Sequence, residues 1–252
     1  MEEKIGTYSL TVEPFQTDFT GRLTLGVLGN QLLNCAGQHA NLRGFGLTQL
    51  ATEGQTWVLS RLAIEMEAMP CQYARYQVQT WIESVTRMFT LRCFAVLDDE
   101  GHPLGYARSI WVMIDRRTRR PTDLTTLGSG SLAAYACQHP CPIDRPAHLG
   151  TVGGEAVGSV TVRYSDIDIN GHVNSIRYLD HVLDLFPLDR YAHSRISRLE
   201  ATYLAESHFG DCLSLHAEPL PSLVGGGDCY RIEVRHAAGE PVCRCRLTFA
   251  PL

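Results

Sequence analysis

Residues 165 to 186 read SDIDINGHVNSIRYLDHVLDLF and join a short polar segment to an apolar pattern of helical spacing. The polar side chains occupy alternate positions: Asp166, Asp168, Asn170 and His172. The apolar side chains that follow recur on one side of a helix: Ile176, Leu179, Val182, Leu183 and Phe186. This pattern predicts an amphipathic helix. The segment therefore places two carboxylates, an amide and an imidazole directly before a buried helix.

Two local structures are compatible with the alternating polar residues. An extended strand would present all four on one face as a solvated edge. The Asn-Gly dipeptide at residues 170 and 171 is instead typical of a turn. Asn174 or Ser175 is then a candidate helix cap, and Pro187 cannot continue the helix regularly. In that arrangement His172 lies at a helix N-terminus, where free N–H groups and the helix dipole favour developing negative charge, as an oxyanion site requires.

A similar segment occurs earlier in the chain. DFTGRLTLGVLGNQLL, which starts at Asp18, aligns with DINGHVNSIRYLDHVL, which starts at Asp168, so that the Asp, the turn Gly and the apolar helical positions match. Further on, SRLAIE from Ser60 resembles SRLEAT from Ser197. The sequence therefore contains an internal repeat.

Each copy continues into segments of strand character. FTLRCFAVLDDEGHPLGYARSIWVMID (89 to 115) and YRIEVRHAAGEPVCRCRLTFAPL (230 to 252) alternate as half-buried hairpins do, with DDEG or AAGE at the turn. The predicted unit is one long helix with an antiparallel sheet, an α+β fold. The alternative is two unrelated α+β domains with a coincidental likeness.

The chain between the copies is rich in Gly, Pro and Ser and lacks a sustained period. We expect an N-terminal domain over residues 1–127, a linker over 128–156 and a C-terminal domain over 157–252. One short helical turn is expected in the linker around residues 132 to 137.

The two copies differ in their polar residues. The first has Asp18, Thr20 and Arg22 at the places of Asp168, Asn170 and His172, so the amide and the imidazole occur once. Structure alone needs the glycine and the apolar stripe but not the histidine. The asymmetry predicts chemistry in the second copy and binding in the first, although a lone His near a helix start is often structural.

Composition narrows the classes of function. The chain has 252 residues, 44% of them hydrophobic, and a net charge of -5, which argues against nucleic acid as the partner. It lacks an apolar run of about 18 residues and a secretory signal, so we expect no membrane partner and a cytoplasmic location.

Cysteine and arginine clusters carry weaker signals. Nine cysteines are scattered through strand and helix patterns, which favours reduced thiols. In CQHPCP (residues 137 to 142) no second pair completes a zinc site, so no metal is expected. RRTRR, residues 116 to 120, is either a solvated turn or a surface for an acidic partner.

The second copy resembles a known family. DIDINGHVNSIRYLDHVLD, followed by LEATYLAESHFGD, is similar to the core of the fatty acyl-ACP thioesterases of plant plastids and their bacterial relatives. The family pattern D-x-N-x-H-V-N-N-x-x-Y is matched from Asp168 to Tyr178, with Ser175 in place of the second Asn. The resemblance covers the whole chain, because the family has two tandem hotdog domains with a linker in this place.

The resemblance implies a tandem hotdog fold and hydrolysis of the thioester between a fatty acyl chain and acyl carrier protein (ACP), without metal or organic cofactor. The implied catalytic residues are Asp168, Asn170, His172 and Glu206. An older proposal for the family uses a Cys beside the Glu, but Ser207 stands there in this chain. Asp166 matches no site residue of the family, and we expect it to be a solvated neighbour.

The roles within the implied site stay open. Either Glu206 or His172 is the base for water, Glu206 is alternatively a direct nucleophile, and Asp168 orients His172 or Asn170. The first copy, chiefly its helix and residues 57 to 66, is expected to line the acyl chain.

Three other functions are compatible with this fold: an acyl-CoA thioesterase, a non-catalytic acyl-carrier binding protein and a dehydratase of 3-hydroxyacyl groups. The expected partner is ACP, and the expected assembly is a monomer or a homodimer. Plant members carry a transit peptide, whereas this chain begins at the domain, so we expect a bacterial enzyme.

Overall fold

The computed structural model describes residues 4–126, 132–221 and 227–252. The chain forms two compact units, Met1–Arg145 and Pro146–Leu252. Residues 128–131 of the predicted linker lie outside the described residues, as do residues 1–3, 127 and 222–226 of the predicted domains. The helical turn expected near residue 132 is confirmed as a short 3-10 helix, Leu132–Tyr135.

The first unit is an antiparallel sheet with one long helix. Its elements are β1 (Gly6–Thr11), α1 (Leu25–Asn41), α2 (Leu47–Thr52), β2 (Gln55–Met66), β3 (Arg75–Val85), β4 (Thr90–Asp98) and β5 (Pro103–Asp115). The strands pair in the order β1, β3, β4, β5, β2. The predicted hairpin is confirmed as β4 and β5, and Gly101 turns between them at a φ of +89°.

The second unit repeats this plan. Its elements are β6 (Gly158–Thr161), α3 (Ser175–Leu183), α4 (Leu188–His193), β7 (Ser194–Tyr203), β8 (Cys212–Leu220), β9 (Cys229–His236) and β10 (Pro241–Pro251). The strands pair in the order β6, β8, β9, β10, β7, which is the order of the first unit. The predicted repeat is therefore present in the topology of the sheets.

The helices α1 and α3 each begin at a capping residue that the sequence provides. The Thr24 hydroxyl accepts the N–H of Val27 and caps α1, and Asn174 Oδ1 accepts the N–H of Ile176 at 2.8 Å and caps α3. The α3 side chains that pack inward are Ile176, Tyr178, Leu179 and Val182. The helix ends at Leu183, before the last apolar residue of the predicted stripe, so the pattern overestimates its length.

The repeat extends to single hydrogen bonds. Asp18 donates its N–H to the carbonyl of Arg22 at 2.8 Å, and Asp168 donates to the carbonyl of His172 at the same distance. A 3-10 helix precedes each turn, Pro14–Gln16 in the first unit and Tyr164–Asp166 in the second. The two turns therefore share this hydrogen bond and the short helix before it. Among the described residues, no helix has the length and apolar character to cross a membrane.

Candidate active site

The polar residues of the opening segment lie in a tight turn and not in a strand. Ile167 bridges to Val173 across its base. Gly171 donates its N–H to the carbonyl of Asp168 at 3.0 Å and has a φ of +81°, which glycine adopts without strain. Of the two local structures, the turn is the one that forms.

Asp168 and Asn170 are joined within this turn. The Asp168 carboxylate accepts the N–H of Asn170 at 2.8 Å and its side-chain Nδ2 at 3.3 Å. In the first unit, Asp18 accepts the N–H of Thr20 at 2.7 Å in the same way. Asp168 therefore closes the turn, a role that also exists where the imidazole is missing.

His172 and Glu206 form the second pair of the site. His172 Nε2 lies 3.4 Å from Glu206 Oε2, and the side chains are 26% and 37% exposed. Glu206 follows β7, and the neighbouring Ser207 carbonyl accepts the N–H of Val173 at 2.9 Å. This backbone bond holds the two segments together, so that an imidazole and a carboxylate meet at a surface that a substrate can reach.

Two further histidines belong to this site, and sequence analysis does not identify them. The His208 ring packs edge-on against the His172 ring, with centroids 4.9 Å apart. His236 Nε2 lies 3.2 Å from the carbonyl oxygen of Glu206, and because a carbonyl only accepts, Nε2 carries the proton. His208 is two residues from Glu206 in sequence, so the sequence itself indicates that the two are close. His236 lies on β9 and comes near Glu206 only in the folded unit.

The buried Ser207 does not join this polar surface. Its side chain is fully buried, and its carbonyl is bound to Val173. The residue at the position of the older Cys proposal is therefore packed inside the unit and not exposed beside Glu206.

Asp166 contradicts the expectation of a solvated neighbour, because its side chain is only 3% exposed. The carboxylate accepts the N–H of Arg163 at 2.7 Å and Arg177 Nε at 3.1 Å, and lies 3.3 Å from His181 Nε2. Burial acts to raise the pKa of Asp166, but the hydrogen bonds from Arg163 and Arg177 and the charges of His181 and Arg177 outweigh it, and the pKa lies below its ordinary value. Asp166 therefore attaches the turn to α3.

His172 lies two residues before the cap of α3, close to the predicted helix N-terminus but outside its first turn. The first residue of α3 is Ser175, and Asn174 separates it from the turn. Asn174 takes up the N–H of Ile176 through its side chain and the N–H of Arg177 through its carbonyl at 2.9 Å. These donors are satisfied within the helix, so they are not available to a carbonyl at His172.

The first unit shows which residues the second has in addition. Leu23 donates its N–H to the carbonyl of Pro70 at 2.8 Å, the bond that corresponds to the one between Val173 and Ser207. By this correspondence Met69 stands where Glu206 stands, and Arg22 where His172 stands. The first unit therefore lacks both members of the pair, and the aligned repeat in the sequence shows only the absence of the histidine.

No cluster of metal ligands forms at the CQHPCP segment. Among the residues that the structure describes, a set of three ligand atoms within 4.8 Å occurs at Asp98, Glu100 and His102, in an exposed turn. Exposed acidic groups of this kind are common without a metal.

Models of known families match both halves of the chain. The model of the acyl-ACP thioesterase N-terminal domain matches residues 6–126, and the model of the acyl-ACP thioesterase C-terminal domain matches residues 153–250. The chain belongs to the acyl-ACP thioesterase family.

Solved structures of this family confirm the fold. An acyl-ACP thioesterase from Bacteroides thetaiotaomicron superposes with a TM-score of 0.92 at 51% identity, covering 98% of both chains. The 12:0-ACP thioesterase from Umbellularia californica superposes with a TM-score of 0.87 at 19% identity, covering 100% of this chain and 96% of its own. The predicted α+β fold with two hotdog units in tandem is therefore confirmed.

Curated members of the family are longer than this chain. The acyl-[acyl-carrier-protein] hydrolase FATB3 of Cuphea viscosissima is 25% identical over 214 residues, which are 82% of this chain and 52% of that protein. The palmitoyl-acyl carrier protein thioesterase of Arabidopsis thaliana is 25% identical over 170 residues, which are 65% of this chain and 41% of that protein. The chain thus spans about half the length of the curated relatives it matches.

Proposed function

We propose that the protein hydrolyses the thioester of fatty acyl-ACP and releases a free fatty acid and holo-ACP. The observation that carries this proposal is the 3.4 Å contact between His172 and Glu206, in a unit whose twin has Arg22 and Met69 at the same places. Acyl-carrier-protein hydrolases among the relatives support the choice of thioester and carrier.

In the proposed reaction Glu206 is the base that takes a proton from water, or the nucleophile that attacks the thioester carbon directly, with His172 as its partner. Imidazole and carboxylate in contact can share one proton, and each is open to solvent. His236 donates to the Glu206 carbonyl, which fixes the backbone of the base. The proton taken from water then passes to the departing thiolate.

The proposed oxyanion donors are the His172 backbone N–H and Asn170 Nδ2. No acceptor for the His172 N–H is found in the part of the chain that the structure describes. Asp168 binds the Asn170 amide and thereby orients it. Fixed donors of this kind stabilise the negative oxygen that forms when the carbonyl is attacked.

We further propose that the first unit binds the acyl chain, with domains over residues 1–127 and 157–252 and a linker over 128–156. This proposal is supported by the first unit, which has the same helix and sheet as the second but lacks the histidine and glutamate pair. The 51% identity to a Bacteroides protein supports a bacterial source. ACP is the proposed partner, and the proposed reaction involves neither nucleic acid nor a membrane. The cytoplasmic location and the assembly as a monomer or a homodimer remain predictions.

Hydrolysis of a panel of acyl-ACP thioesters of varied chain length tests the proposal. We expect free fatty acid from the wild type and a loss of about 100-fold or more in kcat for His172→Ala and for Glu206→Gln. The matched controls His102→Ala and Glu240→Gln change an exposed histidine and an exposed carboxylate in hairpin turns and should keep full activity.

Other products or substrates would contradict the proposal. Preference for the same acyl group on CoA indicates an acyl-CoA thioesterase, and an enoyl product indicates a dehydratase. Binding without turnover, unchanged in both variants, indicates a carrier-binding protein.

The two roles of Glu206 differ in the fate of oxygen. A single turnover in ¹⁸O-water labels only the fatty acid if Glu206 acts as a base. Direct attack forms an anhydride, and water that opens it at the protein carbonyl leaves ¹⁸O in the peptide containing Glu206. Mass spectrometry of that peptide separates the two.

A further inference from the structure

The loop that carries Glu206 is held at both ends by hydrogen bonds. It runs from Glu206 to Asp211, between β7 and β8. At its end the Asp211 carboxylate accepts the N–H of His208 at 2.8 Å, and the Asp211 N–H donates to the His208 carbonyl at 3.1 Å. Near its start the Ser207 carbonyl accepts the N–H of Val173. Glu206 is therefore the first residue of a loop with a well-defined backbone.

His236, at the end of β9, faces both ends of this loop with its two ring nitrogens. Nε2 lies 3.2 Å from the Glu206 carbonyl oxygen, and Nδ1 lies 3.9 Å from Asp211 Oδ2. The side chain of His236 is 23% exposed and that of Asp211 is 34% exposed, so both are partly shielded from solvent. Both nitrogens face oxygen atoms that accept hydrogen bonds. His236 thus joins the first residue of the loop to the last.

The first unit closes the matching loop without an acid at its end. Val12 donates its N–H to the carbonyl of Ala74 at 3.0 Å, and Val162 donates to the carbonyl of Asp211 at 2.9 Å. Each valine is the residue that follows the first strand of its unit. Ala74 therefore stands at the place of Asp211, and the closing bond forms there without a carboxylate.

The place of His236 is also taken by a residue that cannot make its contact. His236 donates its backbone N–H to the carbonyl of Glu240 at 2.9 Å, and Asp98 donates its own to the carbonyl of His102 at the same distance. The Asp98 carboxylate accepts the N–H groups of Glu100 and His102 in its own turn, and an ionised carboxylate has no proton to donate. The matching loop thus closes without either side chain of the His236 and Asp211 contact.

We propose that Asp211 and His236 are positioning residues for Glu206 in the hydrolysis of acyl-ACP, an inference that rests on the proposed function. His236 donates from Nε2 to the Glu206 carbonyl and fixes the peptide plane from which the Glu206 side chain extends to His172. Asp211 holds the His236 ring from the Nδ1 side, so that Nε2 points at the carbonyl. A reacting group displaced by about 1 Å can lose about 100-fold in rate. The benefit is therefore expected in kcat and not in KM.

Asparagine and glutamine separate the two ring nitrogens of His236. The amide nitrogen of glutamine reaches the place of Nε2 and can still donate to the Glu206 carbonyl, whereas that of asparagine reaches only the place of Nδ1. We expect His236→Asn to lose about 10-fold or more in kcat on one acyl-ACP with KM unchanged, and His236→Gln to stay within about 3-fold of the wild type. A residue that only stabilised the fold would not produce this order.

A double variant tests whether Asp211 acts through His236. Asp211→Asn keeps an oxygen for the N–H of His208 but removes the charge beside Nδ1. We expect it to lower kcat by about 3-fold or more in the wild type. It should have no further effect in the His236→Gln protein, which has no nitrogen at the place of Nδ1. Equal losses in the two backgrounds would overturn the proposed role of Asp211.

His216 on β8 is the matched control. Its Nδ1 lies 3.1 Å from the Gly154 carbonyl oxygen and its Nε2 lies 3.1 Å from the Ser214 hydroxyl, and neither of these residues belongs to the proposed site. His216→Asn and His216→Gln should therefore keep the wild-type kcat. Urea unfolding of every variant shows whether a loss of kcat follows a loss of folded protein.

Failure of the positioning role and failure of the proposed function give different results. If the wild type releases no fatty acid, or if Glu206→Gln keeps its kcat, the proposed function fails and the positioning role fails with it. If Glu206→Gln is inactive but His236→Asn loses no more kcat than His236→Gln or the His216 variants, only the positioning role is overturned.

Discussion

Val173 donates its backbone N–H to the carbonyl of Ser207 across 2.9 Å, and this bond brings His172 beside Glu206. The first unit has the corresponding bond between Leu23 and Pro70 at 2.8 Å. The backbone bond is thus built twice, and the histidine and glutamate occur once. Matched substitutions in the two units therefore separate the effect of the turn backbone from the effect of the His172 and Glu206 side chains.

His172 and Glu206 should behave as one unit in kinetics. If they share a proton in the transition state, the double variant His172→Ala with Glu206→Gln should lose no more kcat than the worse single variant. Steady-state turnover of one acyl-ACP measures this. Fully additive losses would mean that the two residues act in separate steps.

Glycines 171 and 21 provide a matched pair of substitutions. Both have positive φ, +81° and +76°, and a Cβ would meet nothing within 4 Å at either, so alanine introduces only backbone strain. We expect Gly171→Ala and Gly21→Ala each to lower the free energy of unfolding by about 1 kcal/mol.

Only the first of these two variants should also lower kcat, because its turn carries His172. Denaturant unfolding and acyl-ACP turnover on the same samples measure both effects. If Gly171→Ala and Gly21→Ala lowered kcat equally, the turn at Gly171 would not act by positioning His172 beside Glu206.

Asp166 should be among the most sensitive polar positions. Asp166→Asn removes a buried charge that Arg177 and His181 face, and we expect a loss of about 3 kcal/mol in unfolding free energy. Asp180 lies 2.7 Å from the same Arg177 at a more exposed place, and burial raises the pKa of its carboxyl, so Asp180→Asn should lose no more than about 0.5 kcal/mol. Urea unfolding measures both losses, and losses of similar size would contradict the conclusion that Asp166 attaches the turn to α3.

Acid should destabilise the second unit through Glu233. Burial acts to raise the pKa of this carboxyl, but hydrogen bonds and charges of Arg244 and Arg235 outweigh it and hold the pKa below its ordinary value of 4.5. A carboxyl with a depressed folded-state pKa stabilises the fold above its unfolded pKa. That stability is lost as the pH falls from 4.5 through the lower folded-state value.

Glu233→Gln should therefore lower stability at pH 7 and flatten its decline in acid, measured as unfolding free energy against pH. Glu240→Gln, on the exposed turn between β9 and β10, should leave the profile unchanged. An unchanged profile in Glu233→Gln would contradict this assignment.

Local signals account for what the sequence predicts well. The Asn-Gly turn, the helix cap at Asn174 and the apolar stripe act over a few residues, and the repeat made them visible twice. The likeness to a family then added Glu206, which the local pattern around His172 does not contain.

What the sequence does not predict depends on contacts made after folding. Asp166 is buried because Arg177 and His181 lie over it from α3, and an alternating pattern cannot show that. Asn174 Oδ1 accepts the N–H of Ile176 only in one side-chain rotamer, which the sequence does not specify. His236 reaches the Glu206 carbonyl from β9, and the two residues are 30 positions apart in sequence.

The turn of the first unit closes with Arg22 and Met69 in place of a histidine and a glutamate. Its hydrogen bonds use main-chain groups and Asp18, which do not depend on either side chain. A duplicated gene could thus change both positions by drift while each intermediate still folded. Exchange of Arg22 and Met69 for the histidine and glutamate of the second unit is therefore open to evolution without passing through an unfolded protein.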